Sequence, residues 1–161
     1  MTRIMGLAIV AGGALMLVAA VASAQVPQYG PDINLEQAKK AVAAAEAEAR
    51  KNSWPVAIAV VDNAGMLVSY QRIDNTQTGS VLVAQDKAVS AAMYRRPTKV
   101  FQDAVAGGGA GLRYLGLRGA NVIDGGLPIF VDGKVIGAIG VSGVNGDQDA
   151  VVAKAGADAL K

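Results

Sequence analysis

Few side chains in this sequence can bind or activate anything, and those that gather are cations and carboxylates. Asp62, Arg72, Asp74 and Lys87 share one stretch, and Arg95, Arg96, Thr98 and Lys99 crowd around Pro97. The 161 residues include no Cys and no His. That removes the usual zinc, copper and iron–sulfur ligands, every disulfide and any triad built on imidazole. What remains is recognition of anions and proton transfer by carboxylates. Arg72 and Lys87 would together hold a ligand carboxylate, the arginine by two parallel hydrogen bonds. The competing assignment is an internal network, Arg72 with Asp74 or Asp62 and Lys87 with Asp86. Lys87 lies at the edge of an apolar helical stripe, so once buried it needs a partner of either kind. In an enzyme, Asp62 or Asp74 would be the general base and the two cations would clamp a small hydroxy or keto acid.

Around Pro97, the free N–H groups of a helix start combine with Arg95, Arg96 and Lys99 to favour an anion. Thr98 either caps that helix or touches the anion or a metal. Tyr70, Tyr94 and Tyr114 can offer a phenolate to ferric iron, while packing is the plainer role for each. Met66 and Met93 read as core gap-fillers. Gly125 and Gly126, after Asp124, would aim backbone N–H groups at an oxyanion or simply turn the chain. Ser142 lacks the second glycine of a nucleophile elbow and has no histidine base.

The elements that must hold these residues are legible from turns and periodicity. Asp132-Gly133 divides two runs rich in β-branched residues, and such a pair supplies the positive φ angles of a type I′ hairpin turn. In the second strand Val135, Gly137, Ile139 and Val141 share one face, and Ile136, Ala138, Gly140 and Ser142 the other. Both faces are apolar or small, so the strand is expected to be covered twice. Its glycines mark a bulge or a close approach by a helix, a neighbouring subunit or a ligand.

Upstream, Asn34 and Gln37 form a loose capping box. Leu35, Ala38, Val42, Ala45 and Ala49 make a helical stripe that Trp54-Pro55 ends. Residues 56–61 and 66–72 form another hairpin. Ser80 is placed to cap a second helix with the stripe Val81, Ala84, Ala88, Ala91 and Ala92, closed by Pro97. A third helix over 99–106 stops at a run of glycines. Residues 110–121 fit either a loop or a Leu-rich helical turn. Asp147 and Asp149 favour the positive end of a final helix. Helix, hairpin, two helices, hairpin, helix describes a single α+β domain, a central antiparallel sheet flanked by helices.

The first residues have a charged start, an apolar run and the small-residue site Ala22-Ser23-Ala24. This is the pattern of a secretory signal peptide over residues 1–24, cleaved after Ala24. The expected organisation is that leader, an extended lead-in over 25–33 and a domain over 34–161. Cleavage would leave a periplasmic or secreted protein with no stable membrane insertion. Lys and Arg number 15 against 13 Asp and Glu, and Arg3 leaves with the leader. The near-neutral remainder gives no electrostatic case for nucleic acid.

Pro55 to Asp62, Gly65 to Val68, Arg72-Ile73-Asp74, Lys87-Ala88, Arg96-Pro97-Thr98, Gly125 to Pro128 and Gly137 to Gly143 with Gln148-Asp149 together resemble the GlcG/HbpS family of haem-binding and haem-degrading proteins. The likeness spans almost all of the mature chain, in order. It implies a profilin-like fold, homo-oligomers and haem as ligand, in some exported members with haem degradation or sensing. It also points to Arg72, Lys87, Arg96 and Thr98 at the polar end of a site, with Gly125 and Gly126 on the wall. The missing histidine takes away the commonest axial ligand. Haem would then be held by Thr98, Tyr94 or Tyr114, or through its propionates and flat faces. The alternatives are a cofactor-free enzyme or binder for a small hydroxy or keto acid, and a structural subunit whose glycines let protomers approach.

Overall fold

The computed structural model describes residues 26–161. The leader expected over 1–24, with its cleavage site, lies outside the described residues. In chain order the elements are α1 (Leu35–Lys51), β1 (Ala57–Val61), β2 (Leu67–Arg72), α2 (Ser80–Tyr94), α3 (Lys99–Ala106), a 3-10 segment (Gly109–Gly116), β3 (Gly126–Val131), β4 (Lys134–Ser142) and α4 (Gly146–Asp158). The strands form one sheet in the order β2-β1-β4-β3, antiparallel at every step.

Two cores cover the two faces of this sheet. Ala41 and Ala45 of α1 and Val152 and Ala153 of α4 pack on Ile58, Val60, Ile139 and Val141. On the other face Ala84, Ala88, Ala91 and Ala92 of α2 meet Ala57, Ala59, Val61 and Ala138. The second core is nearly all alanine because the helix lies almost on the strand. A Cβ at Gly140 would sit 2.1 Å from the Ala84 carbonyl oxygen and 2.4 Å from the Ala88 nitrogen. That close approach is one of the two reasons a strand tolerates glycine, and the other, a bulge, is present as well. The register between β3 and β4 shifts between Ile129 and Phe130. Ile136 thereby leaves the face it would share with Ala138 and joins the α1–α4 core.

Turn and cap chemistry explain the boundaries. Asp132 and Gly133 have φ of 49° and 73°, as a type I′ turn demands. Asn34 Oδ1 accepts from the Gln37 N–H at 2.9 Å and Gln37 Oε1 accepts from the Asn34 N–H at 3.0 Å, a complete capping box. The α1 stripe is rotated from the expected one: Leu35 is exposed and Ala41 takes its place, since the alanine face is what fits between sheet and α4. Ser80 does not cap α2; Gly79 holds the cap position and no side chain bonds that helix end. The lead-in is extended, and it is also anchored. The Gly30 N–H donates to Val135 O at 2.7 Å and the Tyr29 hydroxyl donates to Ala92 O at 2.9 Å.

Candidate functional site

The sheet, α2 and α4 converge on one buried ion pair. Lys87, 1% exposed, donates from Nζ to Asp149 Oδ2 at 2.8 Å and to Val141 O at 2.9 Å. Asp149 stands in the first turn of α4, and its Oδ1 accepts from the Val144 N–H at 3.2 Å. Burial pushes this carboxyl above its ordinary range, against the opposing pull of the Lys87 hydrogen bond and charge. The partner of Lys87 is thus Asp149 and not Asp86, which is exposed. The sequence offers Asp149 a helix-dipole role and a place in the family resemblance; the signal for its pairing is a stripe-edge lysine with no carboxylate within helical reach on a buried face.

Gly125 and Gly126 make room for this pair. A Cβ on Gly125, whose φ is 117°, would lie 2.9 Å from Lys87 Nζ, and one on Gly126 would lie 2.4 Å from Lys87 O. Their N–H groups are occupied: Gly125 donates to Asp124 Oδ1 at 2.7 Å and Gly126 to Thr98 Oγ1 at 3.0 Å. They therefore form no oxyanion hole. Thr98 is fully buried and its own N–H donates to Gly126 O at 3.0 Å, so it staples the start of α3 to β3; it holds the N-cap position, but its side chain makes no cap bond. Asp124 is buried beside them, its carboxyl raised by burial against the pull of the Gly125 N–H and the charges of Lys99 and Lys87.

Above the ion pair opens a cleft of about 330 Å3, walled by Val83, Ile123 and Val144 and floored by Ser80, Ser142, Lys87 and Asp149. The other expected site residues are elsewhere. Arg72 is exposed on the edge strand opposite Ala57, and its Nη2 donates to Thr76 O at 2.9 Å, bonding neither Asp62 nor Asp74. Asp62 follows the far end of β1, roughly 16 Å away along the strand. Its Oδ1 accepts from the N–H groups of Ala64 and Met66, which builds the turn. Asp74 lines a different cleft of about 320 Å3 with Arg50 and Trp54. Clamp and base are not assembled in one place.

The basic cluster also divides. Arg95 donates to Pro27 O at 2.9 Å and covers the Tyr29 ring, and Lys99 pairs with Asp103 at 2.7 Å. Arg96 lies over Phe101, 5.9 Å from the ring centroid. Phe101 is buried between Tyr94 and Tyr114, with centroid distances of 5.2 and 5.4 Å. The Tyr94 hydroxyl donates to Arg118 O at 2.7 Å, whereas that of Tyr114 has no partner among the described residues. Beside these rings Leu112, Leu115 and Leu117 are exposed, and Arg113 lies 5.4 Å from the Tyr114 centroid. Tyr70 packs against the α2 core, where burial raises its phenol. Among the described residues no three carboxylates gather to hold a metal ion.

A four-stranded antiparallel sheet between helices, with a glycine-rich hairpin pressed on a helix, defines a profilin-like α+β domain. Residues 33–158 match the family model of the haem degrading protein HbpS-like family, and the chain belongs to that GlcG/HbpS family. It is 41% identical to Protein GlcG of Escherichia coli K12 over 110 residues, 68% of this chain and 81% of that protein. It is 38% identical over 128 residues to an uncharacterized 15.0 kDa protein of Citrobacter freundii, covering 78% of this chain and 90% of that one. Among solved structures, a double mutant of Streptomyces reticuli HbpS superposes with a TM-score of 0.75 at 31% identity, over 92% of this chain and 99% of that one. A PduOC:heme complex superposes with a TM-score of 0.73 at 26% identity, over 81% and 96%.

Proposed function

We propose that this protein is an exported, homo-oligomeric haem-binding protein that holds haem across the aromatic and leucine-rich face of residues 94–118. The observation that carries the proposal is the exposed trio Leu112, Leu115 and Leu117 flanking Tyr114 in the chain, whose phenol has no partner among the described residues, with Arg113 over the Tyr114 ring and Arg96 over Phe101. The cleft over Lys87, at about 330 Å3, is at the lower end of the roughly 300–1,000 Å3 of pockets for drug-sized ligands. A flat apolar face with cationic edges suits a macrocycle bearing propionates. Tyr114 is the group left to meet the iron, since Thr98 is enclosed and the Tyr94 hydroxyl is engaged. Haem, when bound, supplies the oxidative chemistry. The chain's residues cover its face, neutralise its carboxylates and limit access of water.

Membership of a haem-degrading family and the similarity to a haem complex support this reading. Assembly is supported by further exposed apolar side chains, among them Leu82, Met66 and Leu67, which association would cover. Export rests on the leader pattern; mass spectrometry of the protein recovered from producing cells should show a chain starting at Gln25. For haem, Tyr114→Phe is the informative variant. It should weaken hemin binding and change the ferric resonance Raman spectrum, while leaving the thermal midpoint unchanged. Identical Raman spectra would remove Tyr114 from the iron.

A further inference from the structure

The cleft over Lys87 takes Ser80, Val83 and Lys87 from α2, and none of Tyr94, Arg96, Phe101, Leu112, Tyr114, Leu115 or Leu117 lines it. Its donors are incompletely used. Ser80 and Ser142, both buried, have hydroxyl oxygens 3.2 Å apart, and Ser80 Oγ also accepts from Gln77 Nε2 at 2.9 Å. Whichever hydroxyl donates to the other, one O–H proton of the pair has no acceptor among the described residues. Lys87 has three N–H groups, of which Val141 O and Asp149 Oδ2 take two. Both Asp149 oxygens are engaged, by Lys87 and by the Val144 N–H. The floor therefore keeps unused hydrogen-bond donors, one N–H of Lys87 and one hydroxyl proton of the serine pair. Gly79 and Ser80, at the positive start of α2, line the same cleft, and no side chain caps that end.

We infer that this cleft is a second binding site, for a small monocarboxylate with a short apolar tail. The carboxylate accepts from the Lys87 ammonium and from the serine pair, and the tail lies between Val83, Ile123 and Val144. The volume of about 330 Å3 accommodates an acid of a few carbons. The site stands independently of the haem proposal, since none of the residues assigned to haem lines it.

The test is calorimetric titration of the intact protein with butyrate and, separately, with butyramide, which has nearly the same shape and no charge. Butyrate should bind saturably, and butyramide at least about tenfold more weakly, as expected for loss of a charge-assisted hydrogen bond. Val83→Phe, which fills the cleft, should abolish butyrate binding while hemin titrates as before. Ser80→Ala should weaken butyrate severalfold. An unsaturable butyrate response, equal responses to acid and amide, or undiminished binding in folded Val83→Phe protein would overturn the inference. Loss of hemin binding alone would count against the haem face and leave this site standing.

Discussion

Lys87 and Asp149 bind each other inside the protein, so removing either leaves a charge buried without compensation. Lys87→Met should cost about 3–5 kcal/mol of stability. Lys87→Met combined with Asp149→Leu should recover most of that loss, which urea unfolding of the two variants would reveal. Asp124 carries a different expectation. Its carboxyl is raised from 3.8 by burial, so its contribution to stability is full below that pH and is lost as pH rises through the raised value. Asp124→Asn should match the parent in thermal midpoint at pH 3 and exceed it progressively at higher pH. A midpoint difference that stays constant with pH would contradict this. The need of Lys87 for a partner follows from its place on an alanine stripe. Which carboxylate answers it does not, because Asp149 is 62 residues away in sequence and local spacing carries no information at that range.

At the scale of the element, the α2–β4 contact depends on the missing side chain at Gly140. Gly140→Ala drives a methyl into the backbone of Ala84 and Ala88 and should cost about 3 kcal/mol or prevent folding. Gly79→Ala meets nothing within 4 Å and should change stability by less than about 1 kcal/mol. Thr98→Val leaves the Gly126 N–H unsatisfied and should cost about 1–3 kcal/mol, with Thr98→Ser close to the parent. Hairpins and helices were legible because Asp132-Gly133, Asn34 with Gln37 and the alanine periodicity each act within a few residues. The β4 bulge was legible only as one reason for the strand's glycines, and its position was not. It is set by how β3 pairs, and it moves Ile136 to the opposite core without a local mark beyond the glycine that follows.

Across the whole molecule, the short connections within each hairpin leave antiparallel pairing as the only course there, whereas the β1–β4 pairing that joins the two hairpins links strands far apart in sequence. The functional site was less legible. Six positions were gathered by resemblance into one site, and folding brings Lys87, Thr98, Gly125 and Gly126 together while sending Arg72 to an edge strand and Arg96 to Phe101. The chain thereby separates a small donor-lined cleft from a broad apolar face. If that face is the haem site, its leucines should carry much of the binding, about tenfold each for covering an exposed side chain. The most direct measurement is a hemin titration, followed in the Soret band, of the parent and of Leu112→Asp combined with Leu115→Asp. The parent should saturate at a whole-number ratio and the variant should bind far more weakly with its fold intact. A featureless parent titration, or superimposable curves for the two proteins, would contradict haem binding at this face.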